Sequence, residues 1–213
     1  MKLFLDTSDV RVVRRYLAEG ICDGVTTNPT IIRREGNVWP DAAAEIATLL
    51  GDRPLSLEVT TDEVDLMVAE GVALAGMAPN IAVKVPVTNS LGESCLRVVH
   101  ELASAGIDVN VTCCMTYLQL VLAAKAGARY VSLFGGRVDD EGGDVEHIIQ
   151  DWCDLWLGET EIIAASVRTV KNVADWTRAG ADIVTVSPSI LERLLVHART
   201  KETVTQFVED ARA

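Results

Sequence analysis

The sequence predicts an α/β fold, a single (β/α)8 TIM barrel with a C-terminal helix, occupying residues 1–213. Three observations predict it. Eight short runs rich in Val, Ile, Leu or Thr recur along the chain, bounded by turn residues and separated by helical patterns. Several helical stretches end in one repeated phrase that feeds the next run: Ala105-Gly106-Ile107-Asp108, Ala126-Gly127-Ala128-Arg129 and Ala179-Gly180-Ala181-Asp182. The first run leads into Asp6-Thr7-Ser8-Asp9, not into the glycine-rich phosphate loop that an open doubly wound sheet would want. Eight β/α units in 213 residues close into a barrel and leave no linker or second domain.

The strands are expected at Lys2–Asp6, Gly24–Asn28, Leu55–Thr60, Ile81–Val87, Asp108–Cys114, Tyr130–Gly135, Glu161–Ser166 and Asp182–Ser187. Their near-continuous apolar character suits strands buried on both faces. Ser8 or Asp9 caps the first helix, which carries Val10, Val13 and Leu17 on one face. Glu63–Gly76 and Leu91–Ala105 follow the third and fourth strands as amphipathic stretches. Thr116–Ala126 stops at Gly127, Asp144–Leu157 at Gly158 and Val170–Ala179 at Gly180. Glycine just past a helix is the expected stop, because it adopts left-handed backbone without a Cβ penalty. Thr203–Ala213 reads as the last helix, and Trp39, Trp152, Trp156 and Trp176 fall in loops or on helices.

Bulk properties narrow the function. A net charge of −12 argues against a nucleic-acid partner, because nucleic acid is held by basic surfaces. It also requires that any anionic substrate be drawn by a local cluster of positive charge. No apolar run approaches bilayer length, and Lys2-Leu3-Phe4-Leu5-Asp6 opens without signal-peptide features, so the expectation is a cytoplasmic protein without a membrane partner. Five cysteines, odd in number and including the adjacent Cys113 and Cys114, lack the spacing of a disulfide framework or zinc site. His100, His147 and His197 lie far apart, so neither a metal nor a cofactor is expected.

Lys84 is the most informative residue. It interrupts the apolar run Ile81-Ala82-Val83-Lys84-Val85-Pro86-Val87, where burial disfavours an ammonium. A lysine with a substantial neutral fraction is a nucleophile for carbonyl carbon; the competing reading is an ion-paired or snorkelling lysine. Active sites of TIM barrels sit at strand C-termini. Those ends carry Asp6, Thr26-Thr27-Asn28, Glu58, Lys84, Asn110 with Thr112, Ser132 with Phe134, Ser166 with Arg168, and Ser187. Such a ring of polar residues indicates a polar cavity. Asp6 and Glu58 are available for acid–base work on different sides of Lys84. Asn28, Asn110 and Ser132 suit substrate hydroxyls, Thr112 a water beside Glu58, and Arg137 with Arg168 an anion such as phosphate.

The segments Leu3-Phe4-Leu5-Asp6-Thr7-Ser8, Gly24-Val25-Thr26-Thr27-Asn28-Pro29-Thr30-Ile31-Ile32 and Val83-Lys84-Val85-Pro86-Val87-Thr88 resemble signatures of the transaldolase family. The resemblance runs along essentially the whole chain and is to the short-chain branch, which also contains fructose-6-phosphate aldolases. It implies a class I, metal-independent mechanism in which Lys84 forms a Schiff base. Asp6 then matches the acid–base aspartate, Glu58 the second carboxylate, and Thr112 the threonine that positions the catalytic water. Asn28, Asn110 and Ser132 match donor-binding residues, and Arg137, Ser166 and Arg168 match phosphate contacts. The substrates implied are sugar phosphates, and the state implied is a homo-oligomer, a pentamer or decamer.

Within the branch, the aldolases carry glutamine where this chain has Glu58 and tyrosine where it has Phe134. Glu58, Phe134, Asn110 and Ser132 all take the transaldolase form. The alternatives are an aldolase releasing free dihydroxyacetone, a transaldolase for sulfonated sugars, and a non-catalytic sugar-phosphate-binding barrel. The chain departs from the pattern in Ser132-Leu133-Phe134-Gly135-Gly136-Arg137, with leucine where proline is common and an extra glycine before the arginine, and at Val167, where phenylalanine is usual. These departures are expected to touch the acceptor and phosphate end.

Overall fold

The structure, a computed structural model, describes residues 1–36 and 40–212, so Trp39 lies outside the described residues. Eight parallel strands form a closed barrel in sequence order. They are β1 (Lys2–Asp6), β2 (Gly24–Thr26), β3 (Leu55–Glu58), β4 (Ile81–Pro86), β5 (Val109–Cys114), β6 (Tyr130–Phe134), β7 (Glu161–Ala165) and β8 (Ile183–Val186). β8 closes on β1, with Leu5 opposite Val186.

All eight expected strands are present, and several end earlier than predicted for identifiable reasons. β2 stops at Thr26 because Asn28 is the N-cap of a helix, α2 (Pro29–Glu35), and its side chain accepts from Ile31 N at 2.9 Å. A second helix, α3 (Asp41–Leu50), follows in the same connection, and neither was expected from the sequence. α1 (Val10–Ala18) is capped by Asp9, and α4 spans Val64–Ala75. α5 (Leu96–Ser104) begins five residues after the predicted start at Leu91. There the Asn89 side chain accepts from Leu91 N and Glu93 N and folds residues 89–93 into a tight loop.

The remaining helices follow similar logic. α6 (Tyr117–Lys125) and α9 (Val170–Ala179) open with capping boxes, Thr116 with Gln119 and Thr169 with Asn172. α7 (Gly135–Asp140) and α10 (Pro188–Leu194) are short turns after β6 and β8, also unassigned beforehand. α8 (Val145–Leu155) ends before Gly158 because Trp156 turns extended and stacks on Trp152, with ring centroids 5.1 Å apart. α11 (Ala198–Asp210) starts ahead of Thr203 because His197 Nδ1 accepts from Arg199 N at 3.2 Å and caps it.

The main core lies between strands and helices, with Trp176 fully buried in it. A second, smaller cluster of Phe4, Ala82, Tyr130, Ile163, Ala165 and Ile183 fills the barrel lumen. Period-two alternation then sets the next layer. Two residues beyond Phe4, Ala82, Tyr130 and Ile183 stand Asp6, Lys84, Ser132 and Thr185, so an apolar plug supports a polar floor. Gly24 is required beneath that floor, since a Cβ there would lie 2.7 Å from the Phe4 ring.

Candidate active site

A cavity of about 490 Å³ opens over this floor at the C-terminal mouth of the barrel. Of the residues singled out in the sequence, Asp6, Thr26, Asn28, Glu58, Lys84, Ser132, Phe134, Arg137 and Ser166 line it. Lys84 is 4% exposed. Its Nζ lies 3.0 Å from Glu58 Oε2 and donates to the Thr27 carbonyl at 3.1 Å. Glu58 and Lys84 are register partners on β3 and β4, so the pairing alone aims both side chains into the lumen. The lysine is therefore ion-paired as well as buried. The carboxylate at hydrogen-bond distance supplies a base for the proton that Nζ must lose before attacking a carbonyl.

Asp6 enters the cavity from β1 and meets a different set of neighbours. Burial pushes its carboxyl above the usual carboxylate range. The Lys84 charge, the hydrogen bond from Thr26 and the Arg34 charge pull it back, and Glu35 pushes it up slightly. Thr26 Oγ1 donates to Asp6 Oδ1 at 2.8 Å and stands 2.6 Å from Thr185 Oγ1. Two carboxylates thus flank one lysine in unlike surroundings, Glu58 against the amine and Asp6 against hydroxyls. Such division equips a site for two separate proton transfers.

Asn110 and Thr112 occupy a different position from the lining residues. Asn110 is fully buried between β3 and β6, where its Nδ2 donates to Ser56 Oγ at 3.0 Å and its Oδ1 accepts from Ser132 Oγ at 2.7 Å. It holds the Ser132 hydroxyl that lines the cavity. β5 shifts register between Val111 and Cys114, and Cys113 adopts φ 61° within that bulge. The bulge turns Cys113 onto the cavity wall and leaves Thr112 fully buried. Apart from a weak contact with the Cys113 thiol, Thr112 Oγ1 has no hydrogen-bond partner among the described residues, unlike almost all buried hydroxyls.

The anion end also differs from the expected pair of arginines. Arg137, on α7, lines the cavity, whereas the two terminal guanidinium nitrogens of Arg168, Nη1 and Nη2, both donate to the Asp140 carboxylate outside it. Ser166 lines the cavity in left-handed backbone, φ 60°. A Cβ on Gly136 would come within 2.1 Å of the Ser166 carbonyl, so this glycine permits the close approach of the β6 and β7 ends.

The three departures from the family pattern lie away from the cavity. A Cβ on Gly135 would meet the buried Trp176 ring at 2.6 Å, Leu133 is fully buried in the outer core, and Val167 packs against that core. None of the three lines the cavity, so any effect they have on its anion end passes through packing behind it.

Sequence reasoning missed Arg34 and Thr185, both on the cavity wall, which Cys113 also lines. β8 contributes Thr185, whereas Ser187 lies past the strand end as the N-cap of α10. Counting by two from Ile183 would have found Thr185; Arg34 and Cys113 depend on a helix and a bulge that carry no such signal. Arg34 follows β2 and Arg137 follows β6, four strands apart in a ring of eight, so the two cations stand on opposite walls. Among the described residues no cluster of three or more His, Cys, Asp or Glu could hold a metal ion, and no helix is long and apolar enough to cross a membrane.

Residues 3–213 match the family model described as Transaldolase/Fructose-6-phosphate aldolase. A protein of Phenylobacterium zucineum named "Probable transaldolase" is 43% identical over 213 residues, covering 99% of this chain and 96% of its own. "Probable transaldolase 2" of Listeria monocytogenes is 41% identical over 213 residues, covering 99% of this chain and 95% of its own. Among solved structures, "Native KDPGal structure" superposes with a TM-score of 0.60 at 16% identity, over 87% of this chain and 82% of that one. "Thiamine phosphate pyrophosphorylase from Pyrococcus furiosus" gives 0.55 at 16% identity, over 87% and 85%. At that identity these two likenesses speak for the fold alone.

Proposed function

The chain belongs to the transaldolase/fructose-6-phosphate aldolase family, and from that premise we propose that it is a transaldolase working through a Schiff base on Lys84. It moves a dihydroxyacetone unit from a ketose phosphate, sedoheptulose 7-phosphate or fructose 6-phosphate, to an aldose phosphate. The observation that carries the reading is Lys84 on the cavity floor with Glu58 at 3.0 Å and Asp6, differently partnered, on the same floor.

In this reading Glu58 accepts a proton from Nζ, the amine adds to the ketone, and loss of water gives the protonated imine. Asp6 takes the proton of the hydroxyl on the fourth carbon. The bond between the third and fourth carbons breaks, its electrons pass into the imine as an enamine, and the aldose phosphate leaves. An incoming aldehyde is attacked by the enamine carbon while Asp6 returns the proton to the new hydroxyl. Hydrolysis frees the ketose, with water held between Glu58 and the Thr112 hydroxyl, otherwise only weakly contacted. Asn28 and Ser132, the latter held by Asn110, meet donor hydroxyls, and the phosphate meets Arg137 and Ser166, the residues of the anion end that line the cavity. Arg168 serves that end through its bond to Asp140 at the end of α7, the helix that carries Arg137.

We further place the protein in the cytoplasm, as one domain over residues 1–213, in a homo-oligomer. Support for the last comes from α11, which buries none of its residues and exposes Val204 and Phe207, by 53% and 67%.

The test is release of glyceraldehyde 3-phosphate from fructose 6-phosphate with and without erythrose 4-phosphate. A transaldolase needs the acceptor; release that proceeds equally without it makes the enzyme an aldolase. The double substitution Glu58→Gln with Phe134→Tyr is expected to raise acceptor-independent release about 10-fold or more, since a hydroxyl beside the catalytic water favours hydrolysis of the enamine's imine tautomer. Unchanged release would remove Glu58 and Phe134 as determinants.

A further inference from the structure

The transaldolase cycle asks one carboxyl to act twice in opposite senses, as base during cleavage and as acid during condensation. Resting on that reading, we propose that Thr26 and Thr185 form a reversible hydroxyl relay that serves both protonation states of Asp6. Nothing in the sequence marked Thr185 as part of the site.

Hydrogen-bond valence fixes the relay's two settings. Each threonine hydroxyl has one proton and two lone pairs. With Asp6 ionised, Thr26 Oγ1 spends its only proton on Asp6 Oδ1 at 2.8 Å. The contact to Thr185 at 2.6 Å then requires Thr185 to donate and Thr26 to accept. With Asp6 protonated, the direction can reverse: Asp6 donates to Thr26, Thr26 donates to Thr185, and Thr185 turns its lone pair and proton toward the cavity it lines. No heavy atom moves and no proton leaves its oxygen in the relay; only the two hydroxyl rotors turn. Thr26 and Thr185 are 2% and 4% exposed, so the two bonds are shielded from bulk solvent.

The two strands make this possible. β1 lies between β2 and β8 in the barrel, so the inward side chains of β2 and β8 converge over Asp6 from both sides. The charged groups acting on Asp6 are Lys84 from β4 and Arg34 and Glu35 from α2, and all three are left untouched by changes at Thr185. Thr185 is thus a positioning residue, acting on Asp6 through Thr26.

Removing the donor behind Thr26 weakens the bond that favours the carboxylate, so the Asp6 carboxyl should titrate higher. The experiment is carbon-13 NMR titration of aspartate-labelled protein, with the Asp6 signal identified by its loss in Asp6→Asn. Thr185→Val, nearly the same shape, is expected to raise the Asp6 midpoint by about half a unit, about a 3-fold change in its ionisation constant. Thr26→Val is expected to raise it by about one unit, and Thr185→Ser to restore the wild-type value. This readout needs no turnover, so it stands or falls apart from the assigned activity. In turnover, the acid limb of kcat/KM should move by the same amount in each variant. A Thr185→Val midpoint equal to wild type overturns the relay, as does a Thr185→Ser variant that behaves like Thr185→Val.

Discussion

Lys84→Met is expected to reduce turnover by at least about 10⁴-fold, because among the described residues that line the cavity no other side chain can form an imine. Methionine keeps the length and the apolar stem, so the barrel should still close. The variant nevertheless strands Glu58, whose side chain is only 17% exposed and whose ion-pair partner at 3.0 Å is gone. Removing one member of a buried pair costs about 3 kcal/mol, somewhat less where the survivor still touches water. Adding Glu58→Gln to Lys84→Met should recover most of the lost thermal stability and none of the activity. A stable, active Lys84→Met protein would refute the assigned role; a stability loss that Glu58→Gln fails to relieve would refute the coupling read from the structure.

Asp6→Asn is expected to lower turnover by about 10³-fold while making the fold more stable at neutral pH. The sign follows from the direction of its shift. Burial raises the Asp6 carboxyl in the folded protein above its value in the unfolded chain, where it is ordinary. Between those two values the native state binds more protons than the unfolded state, so stability falls as pH rises through that window. Above the window the full penalty of an ionised, desolvated carboxylate remains. Asparagine keeps an oxygen for the Thr26 hydroxyl and carries no charge, which removes the penalty. A gain of about 1 kcal/mol would raise Tm by about 2–4 °C in a chain of this size. The gain should vanish at acid pH, where native Asp6 is itself protonated. Thermal melts across the pH range check this, and a variant destabilised at neutral pH would show that the Lys84 and Arg34 charges outweigh burial at Asp6.

The barrel was legible in the sequence because its signals are local and repeated. Each β-rich run is bounded by turn residues, and each Ala-Gly phrase marks a helix ending and a strand beginning. What stayed hidden required contacts between distant segments. α2 and its Arg34 depend on Asn28 leaving the strand ladder to cap a helix. The φ of 61° at Cys113 arises from a bulge against β6 that no residue type announces. The departure at Gly135 was visible but not interpretable, since its reason is the Trp176 ring, forty-one residues later in the chain. Lys84 shows both sides: its burial was readable from the apolar run, and its pairing with Glu58 was readable only from strand register. Arg168 shows the limit of reading by position, because its engagement with Asp140 depends on where α7 places that carboxylate in the folded chain.

The central claim is a covalent bond between Lys84 Nζ and the ketose carbonyl carbon, and reductive trapping measures it directly. The protein is incubated with fructose 6-phosphate, reduced with borohydride, digested and analysed by mass spectrometry. The peptide carrying Lys84 should gain the mass of dihydroxyacetone less one oxygen atom, which is imine formation with loss of water followed by addition of two hydrogens. The Lys84→Met protein should gain nothing anywhere. Full turnover of the sugar phosphate with an unmodified Lys84 peptide, or the same adduct on a different lysine, would contradict the account.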